Sequence, residues 1–271
     1  MASLTSETFD RPDDLTDRSN PAVLYALSYL LTRAIVGIIG VILPLVFIIG
    51  EAYFLRGGVH VRGSISAYYH TTMRDIFVAG LCVTGFLLAT YMSGQTNTRD
   101  FWLSLVAGVA VLGVVFFPTS RPDLLESAPR CGTTPMPAGC SPVQQQFGER
   151  LVAGIHFTCA AVFILSLAWI CFLFARREEE HKHAARMATT LRICGIVIIA
   201  AVAWAIVGGL LKVTVWELTP LYVGEVLSVW AFGVAWLLKA RDLRKALGPP
   251  QPARRPAADE HNLPQRSEPR D

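Results

Sequence analysis

Six long apolar runs constrain this chain more than anything else in it. They fall at about residues 33–54, 74–93, 101–117, 151–175, 191–211 and 218–239. Each reaches roughly 17 residues or more, the length that spans a hydrocarbon core about 30 Å thick. The runs are continuous rather than alternating, which excludes the strands of a lipid-facing barrel. Lipid offers no water to stray backbone groups, so each run is expected to be helical. Composition agrees: 52% of residues are hydrophobic and only 17% charged, where a soluble domain carries roughly 25% charged residues. The expected fold is therefore all-α, a polytopic six-helix transmembrane bundle over residues 29–246. The third run is the shortest. Pro118 stops it, Asp100 is placed to cap its start, and Trp102 sits where an interfacial aromatic belongs.

The flanks set the expected orientation. Residues 1–28 and 247–271 are charged and poor in large apolar side chains, which predicts disordered tails. The first twenty residues are acid-rich (Asp10, Asp13, Asp14, Asp17) and lack an apolar core behind a basic start. No cleavable signal peptide is expected, and the first span takes the role of insertion signal. Most of the 24 Lys and Arg residues gather on one side: Arg11, Arg18 and Arg33, the loop from Arg176 to Arg192, and the tail from Lys239 onward. By the positive-inside rule both termini are cytoplasmic, in the plasma (inner) membrane, with the long loops 55–73 and 118–150 outside. The net charge of +3 follows from this asymmetry and does not point to nucleic acid. Membrane lipids are the expected partners, each surface cation contributing on the order of 1 kcal/mol with anionic headgroups. His181 and His183 in "REEEHKHAAR" read as a solvated helical extension rather than a metal clasp.

Cysteines divide by position. Cys82, Cys159, Cys171 and Cys194 lie within spans, where a thiol packs as a small hydrophobe. Cys131 and Cys140 flank "GTTPMPAG" in the third loop. An outside location, a short ring and two prolines predict a disulfide between them, contributing about 2–3 kcal/mol.

The densest polar signal is "GSISAYYHTTMRD", residues 63–75, leading into the second span with Ser64, Ser66, His70, Arg74 and Asp75. Glu51, His156, Lys212, Glu217 and Glu225 meet the same side of the membrane. Glu225 is the deepest of them, and a carboxylate there should be neutralised, paired or facing a wet cavity. A pair with Lys212 across adjacent helices is one expectation. Thr72 and Asp75 have the form of a capping box, which would reduce Asp75 to a helix start signal. Tyr68 and Tyr69 read as interfacial belt residues, and His156 as a hydrogen-bonded core histidine.

From "SISAYYHTTMRDIFVAGLCVTGFLLATY" onward the chain resembles a widespread family of bacterial six-span membrane proteins to which no activity is assigned. The likeness continues through "LVAGVAVLGVVFFPTSRP", "GIHFTCAAVFI", "RICG" and "GEVLSVWAFGVAWLLKA", covering about residues 30–240. It implies a fold and no chemistry. A more distant likeness is to the superfamily of alkaline ceramidases and adiponectin-type receptors, in which zinc is held among helices by a Ser…His…Asp set and a later HxxxH pair. Ser66, His70 and Asp75 resemble the first half of that pattern; the HxxxH half and a seventh span are missing.

Three functions compete at this stage. The first is a membrane protein without catalysis or cofactor, whose outward-facing polar cavity binds a lipid or small ligand. Its candidate ligand-binding residues are Ser64, Ser66, His70, Arg74, Asp75, His156, Lys212 and Glu225. The second is a zinc-dependent lipid amidase or esterase with His70, Asp75 and His156 as ligands. On a continuous helix residues 70 and 75 lie about 140° apart, so His70 would have to sit in the turn before the helix. The third is a structural or assembly role without ligand.

Overall fold

The computed structural model describes residues 21–55, 61–91, 98–122, 128–180, 185–214 and 218–246. They form helices α1 (Pro21–Leu55), α2 (Arg74–Thr90), α3 (Arg99–Phe116), α4 (Pro142–Phe147), α5 (Glu149–Glu180), α6 (Ala185–Leu210) and α7 (Pro220–Ala246). A 3-10 turn, Ile65–His70, stands between α1 and α2. Five helices (α1, α3, α5, α6 and α7) are long and apolar enough to cross a membrane, consistent with a multi-pass membrane protein. The remaining expected span, α2, has 17 residues and a length of about 25 Å at 1.5 Å per residue.

Several helix ends differ from expectation. α1 starts at Pro21, so residues 21–28, expected in the disordered tail, are helical; Pro suits the first turn because its missing N–H would be unpaired there anyway. The rest of that tail, His181, His183, Glu217 and the tail 247–271 lie outside the described residues. Thr98, not Asp100, caps α3 by accepting the Phe101 N–H, and Asp100 in the first turn pairs instead with Arg177 of α5. The Thr72–Asp75 capping box does not form. The α2 N-cap is Met73, with no side-chain cap, while Thr71 Oγ1 accepts the Met73 N–H at 3.1 Å.

The long helices and α2 pack in a ring, α1–α2–α3–α5–α6–α7 and back to α1. Small residues let the backbones close. A Cβ on Gly108 of α3 would stand 2.6 Å from the Gly85 carbonyl oxygen of α2, and one on Gly224 of α7 2.7 Å from that of Ala201 of α6. Contacts of this kind hold helices together where apolar burial gives little net drive. The outward faces carry exposed Ile38, Ile42, Phe86, Trp169, Ile196 and Leu210, so the ring is apolar on its outside as well.

Polar groups collect at the two ends. One end holds Arg33 and three ion pairs: Asp100–Arg177, Glu178–Lys239 and Glu179–Arg192. The other is covered by the 3-10 turn, α4 and the loop closed by Cys131 and Cys140, whose sulfurs stand at bonding distance, 2.12 Å. That loop is held down by Arg121: its backbone N–H donates to Glu149 at 2.9 Å, and its guanidinium donates to the Ala138 and Pro129 carbonyls.

Candidate functional site

A cavity of about 90 Å³ opens inside the ring beneath the 3-10 turn, between α1, α2, α3, α5 and α7. Phe47, Phe77, Phe163 and Phe232 stand in its wall with aliphatic neighbours; the polar side chains lining it are Ser66, Thr84 and Glu225. Thr84 donates its hydroxyl proton to the Gly80 carbonyl at 2.9 Å, which leaves the oxygen as an acceptor. Pro44 interrupts α1 at the same wall. It lacks the N–H that would bond the Gly40 carbonyl, and Gly40 also lines the cavity. The next carbonyl, that of Val41, takes the indole N–H of Trp230 at 3.0 Å.

Glu225 joins the cavity to its cover. Its Oε2 accepts the Ile65 N–H at 2.5 Å, the first donor of the 3-10 turn. Ser64 caps the same turn by accepting the Ala67 N–H at 3.0 Å. The other Glu225 oxygen has no partner among the described residues. Lys212 does not pair with Glu225. It lies exposed just past α6 with φ 51°, where its N–H bonds the Gly209 carbonyl and that of Val213 bonds the Gly208 carbonyl. Such left-handed closure ends a helix, and it carries the side chain away from the ring.

Beside Glu225 lies a second polar group that includes residues the sequence reading did not single out. Glu51, 1% exposed, accepts Arg62 Nε at 2.8 Å, while its Oε2 has no partner among the described residues. The buried hydroxyls of Tyr68 and Tyr222 lie near one another without meeting hydrogen-bond geometry. Burial, reinforced by the Glu51 carboxylate, pushes the Tyr68 phenol above its ordinary range. Tyr222 had a readable signal, since it precedes Glu225 by three positions on α7 and so shares its face. Nothing in the spacing of residues 51 and 62 announces their pairing.

The histidines have a different task. Pro118 cannot donate to the Val114 carbonyl at the end of α3, and His156 Nδ1 supplies the missing donor, at 3.2 Å from that oxygen and 2.8 Å from that of Phe117. His70 Nε2–H donates to the Thr119 carbonyl at 2.8 Å, and Gln144 donates to the same oxygen at 2.9 Å. Burial lowers the His70 pKa against the opposing pull of the Thr119 and Gly139 carbonyls, which favours the neutral ring. The two imidazoles therefore cap and anchor the chain leaving α3.

The zinc expectation named His70, Asp75 and His156 as a set. Asp75 is exposed in the first turn of α2, where the helix dipole favours it. Among the described residues no three His, Cys, Asp or Glu side chains come together closely enough to hold a metal ion. Arg74 also faces away from the cavity; its guanidinium lies 4.5 Å from the Tyr69 ring centroid and donates to the Tyr69 hydroxyl at 2.8 Å. Of the residues expected together, Ser66 and Glu225 line the cavity, and Ser64 shapes its cover. His70 and His156 brace the loop beside it, while Arg74, Asp75 and Lys212 stand outside. Family models, curated proteins and solved structures give no match to this chain.

Proposed function

We propose that this is a six-span protein of the plasma membrane that binds a small amphipathic ligand, a lipid portion or a free molecule, in the cavity beneath the 3-10 turn. α2 is the sixth span in this reading, and the chain belongs to the bacterial six-span family it resembles. Both termini face the cytoplasm, so the loop-capped end is outward. The basic residues near the opposite end support that orientation through the positive-inside rule.

One observation carries the binding reading: an apolar cavity with a carboxyl in its wall, one oxygen held by a backbone N–H and the other turned to no partner among the described residues. Binding pockets combine apolar walls with a few placed polar groups that orient the occupant. A helix interior built for packing alone has no use for a carboxylate there, since its desolvation is costly. The disposition of His70, His156 and Asp75 supports binding over metal-assisted hydrolysis, because among the described residues no three possible ligands converge and Asp75 is exposed on α2.

Thermal unfolding of the purified full chain with and without 1-pentanol tests the reading. A ligand at 100 times its Kd stabilises the native state by about 2.7 kcal/mol, which raises Tm. Ala160→Phe, which fills the cavity from α5, is expected to abolish the shift while the protein stays folded. An equal shift in that variant means that pentanol acts elsewhere and the cavity is not the site.

A further inference from the structure

We propose that the cavity selects a protonated amine, with the ammonium seated against Glu225 and a short hydrocarbon part among the phenylalanines. The inference rests on the reading of the cavity as a ligand site and adds the chemical class of the ligand.

The first ground is uncompensated charge. A carboxylate removed from water needs a counter-charge or several donors, and Glu225 receives one N–H, from Ile65. Among the described residues the cations at that end are placed elsewhere, with Arg130 and Arg150 exposed. Arg62 serves Glu51, Arg121 serves Glu149, Arg74 lies on Tyr69, and Lys212 is exposed beyond α6.

The second ground is the sign of the polar wall. The free Glu225 oxygen accepts once the carboxyl is ionised, the form that an ammonium partner favours. Thr84 has already given its proton to Gly80, so it can only accept. The Gly40 carbonyl, without its regular helical donor because of Pro44, accepts as well. Ser66 alone can do either. An ammonium is the complement of such a wall, with three donors and no acceptor, whereas a carboxylate or phosphate head would bring acceptors to acceptors.

The third ground is the aromatic lining. Phe47, Phe77, Phe163 and Phe232 line the cavity, and a cation within about 6 Å of a ring centroid and over its face is attracted to it by about 0.5–2 kcal/mol. Size limits the hydrocarbon part. An apolar cavity of about 150 Å³ accepts benzene, so about 90 Å³ suits a short alkyl group or the end of a longer one.

Isothermal titration calorimetry on the full chain in zwitterionic nanodiscs, with empty nanodiscs subtracted, compares n-pentylamine with 1-pentanol at pH 7. The amine is expected to bind at least tenfold more tightly. Glu225→Gln is expected to remove that preference while pentanol still binds, which also shows that the variant is folded. Thr84→Val should weaken the amine a few-fold and leave the alcohol unchanged. Should Glu225→Gln fail to fold, Glu225→Asp keeps the carboxylate and should keep the preference. Equal binding of amine and alcohol by the natural protein overturns the ammonium inference and leaves the cavity as a site for neutral ligands, with Glu225 carrying a proton. A preference that survives Glu225→Gln also overturns it. Binding of neither probe overturns the ligand-site reading itself.

Discussion

The two ends of the ring treat charge in opposite ways. At the ion-pair end, three consecutive residues of α5, Arg177, Glu178 and Glu179, reach three different helices: Asp100 of α3, Lys239 of α7 and Arg192 of α6. Successive residues on a helix point about 100° apart, so one short charged run can hold three neighbours. Arg33 is enclosed there by Tyr29, Tyr91 and Phe174, with ring centroids 4.7, 5.5 and 5.4 Å from its guanidinium carbon, and bonds the Tyr91 hydroxyl. At the loop-capped end Glu51 and Glu149 have arginine partners, but among the described residues Glu225 has only a backbone N–H. Matched charges fix which helix stands beside which. An unmatched one at a cavity wall is available to something else.

The contrast can be broken at the matched end. Glu178 and Lys239 are both nearly buried, at 11% and 14% side-chain exposure, so Lys239→Met leaves an unpaired carboxylate. The expected loss is about 3 kcal/mol, read as a lower denaturant midpoint, and adding Glu178→Gln should recover most of it. A smaller effect belongs to His156→Ala, which strips the donor from the Val114 and Phe117 carbonyls. The expected loss is about 2 kcal/mol, and backbone amide exchange should rise around residues 114–119.

Glu225→Gln sharpens the comparison from the other side. Removing a charge that has no counter-charge should leave stability within about 1 kcal/mol of the natural protein or raise it. A loss comparable to that of Lys239→Met would show that Glu225 is matched after all. The smallest expected effect is the pH dependence from His70. Its pKa is lowered in the folded chain, so the unfolded chain binds the extra proton first. Stability from this group is present above the unfolded value of 6.5 and falls as pH drops from there toward the folded pKa. His70→Gln should flatten that slope in urea titrations between pH 7 and 5.

Much of the fold was legible because lipid leaves the backbone few choices. The apolar runs that became α1, α3, α5, α6 and α7 are too long and too continuous to be anything but helices in a bilayer. Pro118 ends α3 because it brings no N–H, and the Cys131–Cys140 pairing follows from two thiols across a short loop. Helix starts were less legible. Thr98 and Asp100 are both plausible caps two residues apart, and only the position of Arg177 on α5 draws Asp100 into an ion pair. The Thr72–Asp75 box failed for a similar reason, since the preceding 3-10 turn already places Thr71 over the first amides of α2.

What the sequence determined by itself, then, is the set of apolar helices and the confinement of charged residues to the neighbourhood of their ends. Both depend on transfer free energies that each residue carries wherever it sits. The tertiary structure alone decided which of those polar residues meet. Glu225 turns to Ile65, 160 positions away, instead of to Lys212, because the end of α6 swings that lysine outward. The aromatic wall around Glu225 likewise draws on α1, α2, α5 and α7. Partnership depends on which helices the ring makes neighbours, and that order is set by close backbone contacts such as Gly85 with Gly108, which leave no periodic mark in the chain.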